Sequence, residues 1–350
     1  MKGVVFLGDR KLELREFPDP TPGPRDVVLE IKASGMCGSD LHNYRAPAHP
    51  PGTVTGGIKR EAGMIAGHEP CGIVAVVGAG VTEKEARVGQ RVMDHHYDGC
   101  GTCKHCRGGW TQMCLAGTVV FGSGGHGGHA KYMKVPVSTL VPLPDSLSFV
   151  TGAAISCGTG TAWGALKRLN LRGGETLAIF GQGPVGLSAT QLAVAMGARV
   201  IALDISPERR KLAQQFGAHE VIDPKSGDMV AAIRDLTHGE GAHTTLDASS
   251  APEARAAAVR SVRSWGTACF VGERGQVTLD VSPDLLRRQV TLIGSWTFSK
   301  QGQAECAEFV ADRKVDVEQL FTHRWKLEQA EEAYKLFDTQ TTGKAVILPS

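Results

Sequence analysis

The 350-residue sequence has neither a long apolar run nor a block of like charges. Its longest apolar stretches, such as Cys71 to Val81, are well short of the roughly 18 residues that a membrane-spanning helix needs. The formal net charge is only +2, which gives no support for binding to nucleic acid or to a membrane surface. The segment Met1 to Arg15 reaches charged residues too early for a signal peptide. We therefore expect a cytoplasmic protein whose partner is a small molecule.

Internal repeats and low-complexity tracts are also missing, and the chain is too long for one ordinary core. Apolar residues make up 42% of the sequence and glycines number 44, which indicates a folded protein with many tight turns. Long helical periodicity is absent from the first 150 residues or so. Short apolar runs broken by Gly and Pro predict an irregular, β-rich domain there, with strands at Val27 to Ile31, Gly72 to Val77 and Lys131 to Val135.

From about Thr151 short apolar runs alternate with helix-like segments, which predicts βαβ units and a parallel sheet. Six strands are predicted, the number in a complete Rossmann sheet: Glu175 to Phe180, Arg199 to Leu203, Glu220 to Ile222, His243 to Asp247, Thr267 to Val271 and Val290 to Gly294. Helices are predicted at Pro184 to Met196 and Glu208 to Phe216, each followed by a glycine that permits a left-handed helix end. The expected domains are residues 1–152, with a cysteine-rich lobe at 95–116, and residues 153–294. Residues 295–350, with a helix at Leu327 to Phe337 and a strand at Lys344 to Leu348, are expected to return to the first domain.

A glycine-rich turn follows the first strand of the predicted parallel sheet. Gly181, Gly183 and Gly186, with Pro184 and Val185 between the last two, form a G-x-G-x-x-G pattern directly before a helix. The first glycine permits the tight turn, the second lets the backbone approach a pyrophosphate, and the third lets helix and strand pack closely. The alternative is an ordinary strand-to-helix turn. The position of the pattern favours a dinucleotide site.

The second strand of the sheet is followed by an acidic residue, Asp204. A carboxylate at this position can accept hydrogen bonds from the adenosine ribose and would repel a 2′-phosphate, which favours NAD over NADP. Arg209 is a candidate neighbour of the same ribose, although an arginine on a helix is more often a surface charge. The NADP alternative depends on Arg209 and Arg210.

Four of the nine cysteines lie close together in the sequence, as Cys100, Cys103, Cys106 and Cys114. Four thiolates on one glycine-containing loop suit a closed, tetrahedral zinc site, whose role would be structural because no coordination position stays open. An iron–sulfur cluster or unrelated buried thiols are the alternatives. Cys37, His68 and Cys157 form a dispersed second set, and each alone is equally typical of a core residue.

In its order of motifs, the chain resembles the medium-chain, zinc-dependent alcohol dehydrogenase family over essentially its whole length. A Cys-Gly-Ser-Asp-x-x-His segment starting at Cys37 is followed by Gly67-His68-Glu69, the four-cysteine lobe, a Cys-x-x-x-Thr segment starting at Cys157, and the Rossmann glycines. The resemblance implies a GroES-like irregular β-barrel as the catalytic domain beside the Rossmann domain. It also implies two zinc ions per chain, NAD, and a homodimer or homotetramer.

The resemblance further implies a role for each matching residue. Cys37, His68 and Cys157 would bind a catalytic zinc that keeps one open position, as is usual for catalytic zinc. Asp40 would orient His68 and Glu69 would approach the metal, while Ser39 and His42 would carry the alcohol proton away by way of the cofactor ribose. Thr161 would support the nicotinamide, and the backbone of Val271 and Gly272 would bind its carboxamide.

Three functions remain open at this stage. The first is a dehydrogenase of simple primary or secondary alcohols, favoured by Cys157, because polyol and threonine dehydrogenases of the family often have glutamate at that position. The second is a polyol or amino-alcohol dehydrogenase with the same apparatus, which the chain length and the Cys-Gly-Ser-Asp segment favour. The third is a catalytically silent zinc- or NAD-binding protein. The segment from Asn43 to Gly67 looks like an insertion and is either a lid or a surface loop.

Overall fold

The computed structural model describes residues 1–48, 54–55, 58–59, 63–341 and 343–349. The expected insertion at Asn43 to Gly67 therefore lies partly outside the described residues. The helices are α1 (Gly38–Arg45), α2 (Lys104–Arg107), α3 (Phe149–Ile155), α4 (Gly158–Leu169), α5 (Pro184–Ala195), α6 (Pro207–Gln215), α7 (Met229–Asp235), α8 (Pro252–Ser261), α9 (Lys300–Asp312) and α10 (Ala330–Asp338). The strands are β1 (Lys2–Gly8), β2 (Lys11–Glu16), β3 (Asp26–Gly35), β4 (Val54–Thr55), β5 (Ile58–Lys59), β6 (Glu69–Val77), β7 (Arg91–Asp94), β8 (Tyr97–Asp98), β9 (Val119–Val120), β10 (Tyr132–Pro136), β11 (Leu140–Pro142), β12 (Thr176–Phe180), β13 (Arg199–Leu203), β14 (Glu220–Ile222), β15 (Ala242–Asp247), β16 (Val262–Phe270), β17 (Thr291–Gly294), β18 (Phe321–Lys326) and β19 (Lys344–Leu348).

The chain divides into two compact units. Unit 1 comprises Met1–Cys157, Ser299–Asp312 and Phe321–Ser350, and unit 2 comprises Gly158–Phe298 and Arg313–Leu320. The predicted return of residues 295–350 to the first domain is therefore interrupted, because residues 313–320 pack with unit 2. In that segment the side-chain amide of Gln191, on α5, donates a hydrogen bond to the carbonyl of Asp316 over 2.8 Å.

Unit 1 is built on a seven-stranded sheet in which β3 is central. The strand order is β11-β7-β6-β3-β19-β18, and β10 also pairs with β3. β6, β10 and β19 all run antiparallel to β3. Most residues of β3 are buried, which explains its apolar sequence. The sheet thus brings chain segments that are distant in sequence beside β3, including β19 from the C-terminal part.

Unit 2 contains a six-stranded sheet in the order β14-β13-β12-β15-β16-β17, with every pairing parallel. This order, 3-2-1-4-5-6 within the unit, is that of the dinucleotide-binding Rossmann sheet and confirms the prediction. β12 is buried along its whole length, as expected of a strand covered on both faces. Gly197 and Gly217 follow α5 and α6 with φ of +84° and +93°, so both predicted left-handed helix ends are present.

The predicted element boundaries differ from the structure by a few residues, with one larger exception. β16 begins at Val262, five residues before the predicted Thr267, and ends at Phe270. The predicted helix at Leu327 to Phe337 starts as a 3₁₀ turn and becomes α10 only at Ala330. Across the part of the chain that the structure describes, no helix combines the length and apolar character needed to cross a membrane.

Candidate metal centres and nucleotide site

The Cys-Gly-Ser-Asp segment forms the start of α1, with Cys37 at the N-cap. The side chain of Asp40, three residues into the helix, accepts a hydrogen bond from the backbone N–H of Cys37 over 2.8 Å. Such a contact satisfies one of the unpaired N–H groups at a helix start and fixes the direction in which the chain enters the helix. Ser39 is exposed and His42 is half-buried, so both side chains are accessible to small molecules or solvent.

His68 immediately precedes β6 and is held by the same aspartate. Its Nδ1 lies 2.9 Å from Oδ1 of Asp40. Because a carboxylate oxygen can only accept, Nδ1 carries a proton, and Nε2 is the ring nitrogen that is left to bind a metal. The hydroxyl oxygen of Ser39 lies 3.2 Å from this Nε2. Asp40 thus orients the His68 ring so that Nε2 is the nitrogen through which it could bind a metal.

Cys157, two residues after α3, completes this site. Ligand atoms of Cys37, His68, Glu69 and Cys157 all lie within 4.8 Å of one another. The Sγ atoms of Cys37 and Cys157 are 3.8 Å apart, which is too far for a disulfide. It matches the separation of about 3.8 Å expected for two thiolates bound tetrahedrally at about 2.3 Å from one zinc. The donor set therefore fits zinc.

The two sulfur atoms also differ electrostatically. A hydrogen bond from the thiol of Cys157 holds the pKa of Cys37 well below its usual range, and contact with His68 adds to this effect. The same hydrogen bond, together with burial, raises the pKa of Cys157. Cys37 is thus the first of the two to become the thiolate that binds metal.

Glu69 is paired with a buried lysine from β19, Lys344. The Nζ of Lys344 lies 2.7 Å from Oε1 and 2.5 Å from Oε2 of Glu69, and it donates to the carbonyl of Met36 over 3.1 Å. Burial raises the pKa of Glu69 to about 7, while the charge of Lys344 opposes the shift. An ion pair is therefore buried directly beside the candidate metal ligands.

Two further histidines lie close to this site. The ring centroid of His96 is 5.0 Å from that of His68, and its Nδ1 donates to the carbonyl of Ser156 over 2.9 Å. The Nδ1 of His95 lies 3.0 Å from the side-chain oxygen of Gln303. Burial lowers the pKa of His95 to about 4, so this imidazole is neutral at physiological pH.

The four cysteines predicted to form a separate site are brought together around α2. The Sγ atoms of Cys100, Cys103, Cys106 and Cys114 lie within 4.8 Å of one another. The Sγ of Cys100 accepts a hydrogen bond from the backbone of Cys103, and that of Cys114 accepts one from Cys100, both over 3.3 Å. Hydrogen bonds from Thr102 and the backbone lower the pKa of Cys100 to about 6. Four thiol ligands without a nitrogen or oxygen donor suit a closed zinc site.

The glycine-rich turn joins β12 to α5 in unit 2. Gly181 has φ of +92°, and a Cβ on Gly186 would lie 1.9 Å from the carbonyl oxygen of Gly181, so both positions require glycine. Gly183 is the N-cap of α5, Pro184 is the first helical residue, and the space around a Cβ on Gly183 is open. The 12-residue helix α5 directs its free N–H groups towards this opening, as a pyrophosphate site requires.

Asp204 follows β13 and is hydrogen-bonded to the backbone of this turn. Its Oδ2 accepts the backbone N–H of Gln182 over 2.6 Å, and its Oδ1 accepts that of Ser206 over 2.8 Å. Arg209 Nη1 lies 4.0 Å from Oδ2, so this arginine approaches the carboxylate rather than extending away from it. Each carboxylate oxygen can accept a second hydrogen bond, which leaves capacity for ribose hydroxyls.

Arg210 is engaged elsewhere. It pairs with Asp223 at 3.0 Å and donates to the carbonyl of Asp204 over 2.7 Å.

The backbone N–H groups of Val271 and Gly272 both donate to the carbonyl of Asp247, over 2.9 and 3.1 Å. These two donors are therefore already used within unit 2. Carboxamide binding at this strand end, as predicted, would have to use a backbone carbonyl.

The remaining predicted nucleotide residue is Thr161, which is buried on α4. The sequence motifs do not include Lys344, His96 or Gln303, although all three lie in or around the Cys37 site. The sequence signal that could have drawn attention to Lys344 is its position at the start of an apolar strand. A lysine in such a strand is almost never fully buried unless it is paired.

The fold and the sites together define a class of protein. Unit 1 holds a thiolate and imidazole set that fits zinc, and unit 2 holds a glycine-rich turn on a Rossmann sheet. These are the features of a zinc-dependent oxidoreductase that uses a nicotinamide dinucleotide. Residues 23–145 match the model of the alcohol dehydrogenase GroES-like domain, and residues 184–313 match that of the zinc-binding dehydrogenase.

Known proteins that match this chain over nearly its whole length show which family within this class it belongs to. The chain is 39% identical to the uncharacterized zinc-type alcohol dehydrogenase-like protein YphC of Escherichia coli K12, covering 99% of this chain and 98% of that protein. It is 34% identical to an alcohol dehydrogenase of Geobacillus stearothermophilus over 90% of each. The structure of alcohol dehydrogenase TADH from Thermus sp. ATN1 superposes with a TM-score of 0.88 over 99% of both chains, at 28% identity. The chain belongs to the medium-chain, zinc-dependent alcohol dehydrogenase family.

Membership confirms the expected fold, a GroES-like domain with a Rossmann domain, and the expected cofactors, zinc and a nicotinamide dinucleotide. It also confirms the reaction class, which is oxidation of an alcohol or reduction of its carbonyl product. A small molecule is therefore the substrate.

Proposed function

We propose that the chain oxidises simple primary or secondary alcohols with NAD, at a catalytic zinc bound by Cys37, His68 and Cys157. The observation that supports this most strongly is the 3.8 Å separation of the two sulfur atoms beside an imidazole whose Nδ1 is held by Asp40, which leaves Nε2 as the nitrogen available to zinc. The four-cysteine lobe holds a second, structural zinc, giving two per chain. The silent alternative is disfavoured because all these ligand atoms are in place together.

When bound, zinc supplies Lewis acidity that makes an alcohol hydroxyl easier to deprotonate. The residues of this chain then have separate tasks. Asp40 fixes the tautomer and orientation of His68. Ser39, whose hydroxyl lies 3.2 Å from His68 Nε2, is positioned to accept the alcohol proton. His42 follows three residues later on α1, on the same helical face, and its half-buried imidazole can pass the proton to solvent.

The preference for NAD is supported by Asp204, whose carboxylate would repel a 2′-phosphate. Gly181, Gly183, Pro184, Val185 and Gly186 form the pyrophosphate turn, with Thr161, Arg209, Val271 and Gly272 as further cofactor contacts. Arg210 forms an ion pair with Asp223, which makes it less available to a 2′-phosphate. The NADP alternative then depends on Arg209 alone.

We further propose a homodimer or homotetramer in the cytoplasm. The outer strand β17 leaves one edge of the Rossmann sheet open, and nearby Val281, Leu286 and Leu292 are exposed apolar side chains. Two clusters of free thiols suit a reducing compartment. We assign the metal chemistry to unit 1 and the binding of the dinucleotide to unit 2.

Zinc content and turnover together test the proposed function. Wild type should contain two zinc ions per chain and reduce NAD with butanol or cyclohexanol, whereas Cys157→Ala should contain one and be inactive. Cys306→Ala, which removes another buried thiol of unit 1, is the matched control and should keep both zinc ions and the activity. One zinc in wild type, without turnover, would contradict the proposal. A clear preference for sorbitol or threonine over the simple alcohols would instead support the polyol and amino-alcohol alternative.

A further inference from the structure

Cys157 lies in a two-residue turn between α3 and α4, so its position depends on what holds this turn. The peptide group between Ser156 and Cys157 is hydrogen-bonded at both ends. The carbonyl of Ser156 accepts from Nδ1 of His96 over 2.9 Å, and the N–H of Cys157 donates to the carbonyl of Ala154 over 3.3 Å. Because a peptide group is planar, these two contacts fix its orientation and with it the position of the Cys157 Cα atom.

The side chain of Ser156 connects the same turn to the strand that follows His68. Its hydroxyl oxygen lies 3.1 Å from the carbonyl oxygen of Pro70, on β6, and 3.0 Å from that of Gly152, one turn earlier on α3. Both neighbours are carbonyls, so the hydroxyl is the donor. Pro70 comes two residues after His68, and Ser156 comes one residue before Cys157. One buried hydroxyl thus lies between the segments that carry two of the proposed zinc ligands.

The backbone and the ring of His96 are in turn held by the surrounding chain. Its carbonyl accepts the backbone N–H of Phe121 over 3.0 Å, and its ring centroid lies 4.1 Å from that of Tyr97 and 5.0 Å from that of His68. His96 is 1% exposed and Ser156 is 0% exposed. A hydrogen bond between buried groups is stronger than one in water, and its loss is correspondingly costly. Water therefore does not compete for the contact between His96 and Ser156.

We propose that His96 and Ser156 are positioning residues for the metal site, which act through the backbone of Cys157 to hold its sulfur where zinc requires it. Two thiolates on one tetrahedral zinc must lie about 3.8 Å apart, and the Sγ atoms of Cys37 and Cys157 have this separation. Without the contact from His96, the peptide group before Cys157 would be less restrained and the two sulfur atoms would depart from that separation. This inference rests on the proposed zinc site and adds two residues to which the sequence motifs assign no role.

The first test removes one oxygen atom from each of two serines that are both 0% exposed. Ser156→Ala removes the hydroxyl between the two ligand segments, and Ser34→Ala removes one that lies 2.8 Å from Nδ1 of His129, elsewhere in unit 1. Zinc affinity at the Cys37 site is measured by competition with a chelator. Replacing a residue that directly holds a metal ligand typically costs about 10- to 100-fold. Ser156 acts on the backbone instead, so we expect a loss of roughly three- to tenfold for Ser156→Ala and none for Ser34→Ala.

The absorption spectrum of the cobalt-substituted protein reports on ligand geometry rather than on overall stability. Bands that Cys157→Ala lacks belong to the Cys37 site, and those that it keeps belong to the four-cysteine lobe. The first set should shift in Ser156→Ala and stay as in wild type in Ser34→Ala. Equal zinc affinity in wild type and Ser156→Ala would overturn the inference. Equal losses in both serine variants would also overturn it, because they would indicate a packing effect.

A second test separates the hydrogen-bond donor at residue 96 from the size of its side chain. Asn and Leu are similar in size and both are smaller than His, but only Asn carries an N–H group close to the position of Nδ1. We expect His96→Leu to lose roughly three- to tenfold in zinc affinity and His96→Asn to keep most of the wild-type affinity. Equal affinities in these two variants would contradict the proposed role of His96.

The outcomes also separate this inference from the proposed function. If the wild type binds zinc only at the four-cysteine lobe, the proposed function fails, and that result appears before any variant is compared. If the wild type binds two zinc ions and Ser156→Ala binds them equally well, only the positioning role fails. The serine comparison does not require that the His96 variants fold.

Discussion

Asp204 is the single side chain on which, as we propose, the choice between NAD and NADP depends. Its two oxygens already hold the backbone of the glycine-rich turn and of the α6 start, so the negative charge is fixed in place. A fixed charge discriminates well against a 2′-phosphate because it cannot move aside.

Replacing this charge should change cofactor preference. In Asp204→Asn we expect the ratio of kcat/KM for NADP to that for NAD to rise by about tenfold or more, since repulsion of a phosphate is removed. Steady-state kinetics with both cofactors measures it. Asp235→Asn alters an exposed carboxylate on α7 and should leave the ratio unchanged. An unchanged ratio in Asp204→Asn would mean that Asp204 does not face the ribose.

Lys344 and Glu69 form a pair whose members depend on each other for burial. In Lys344→Met the carboxylate of Glu69 would stay buried without a counter-charge, which typically costs about 3–5 kcal/mol. We expect a large drop in the urea midpoint of unfolding and partial recovery in the double variant with Glu69→Gln, which removes the orphaned charge. A double variant no more stable than Lys344→Met alone would argue against this coupling.

Asp94 should make stability depend on pH. Burial raises the pKa of this carboxyl to about 7, although Thr139 donates to it over 2.6 Å. Between about pH 4 and pH 7 the folded state keeps a proton that the unfolded state has lost, so the unfolding free energy falls as pH rises, by at most roughly 1.4 kcal/mol per pH unit. Above pH 7 this contribution no longer changes.

Thermal unfolding of the zinc-loaded protein at pH 5 and pH 7.5 tests this dependence. Asp94→Asn cannot ionise, so it should gain stability relative to wild type as pH rises over this interval. Asp145→Asn, at a fully exposed position, is the control and should follow wild type at both values. Parallel curves for wild type and Asp94→Asn would contradict the assignment.

At the scale of elements, the junction of β12 and α5 depends on two glycines for different reasons. A methyl group at Gly186 would collide with the carbonyl of Gly181, whereas one at Gly183 meets no protein atom within 4 Å. We expect Gly186→Ala to lower both the melting temperature and NADH affinity, because helix and strand must separate. Gly183→Ala should lower NADH affinity alone, because its methyl would occupy space needed by the pyrophosphate. Calorimetric melting and NADH titration distinguish the two outcomes, and equal melting temperatures would refute the close-packing argument.

The Rossmann elements were predictable because their signals are local. β13 and β14 have the predicted boundaries, and the glycines that follow α5 and α6 have the predicted positive φ. β16 was predicted too short because Ser264, Trp265 and Gly266 interrupt its apolar pattern, although the strand continues through them. Local pattern identifies an element more reliably than it locates the ends.

The surroundings of the metal ligands were less predictable. Cys37, His68 and Cys157 stand in recognisable motifs, whereas Lys344 becomes a neighbour of those motifs only through the pairing of β19 with β3. No sequence spacing encodes such a contact. The burial of a charge such as that of Lys344 can be explained only once its partner, Glu69, is known.

At the scale of the whole molecule, the proposed metal ligands and the proposed dinucleotide turn belong to different compact units. Removing zinc with a chelator should therefore abolish turnover while leaving NADH binding, followed by fluorescence titration, within about threefold. It should also lower the melting temperature, because zinc binds the folded state preferentially. Loss of NADH binding together with zinc would show that the folding of unit 2 depends on the metal.

The position of β19 has a consequence for how the enzyme is made. This strand follows β1 to β18 in the chain yet lies inside the unit 1 sheet, between β3 and β18. Ribosomes release a chain from its N-terminal end, at about 5–20 residues per second, so Cys37, His68 and Cys157 emerge well before Lys344 does. During that interval Glu69 has no counter-charge and the sheet has a gap beside β3. The proposed zinc site therefore acquires its complete surroundings only after synthesis has passed β19.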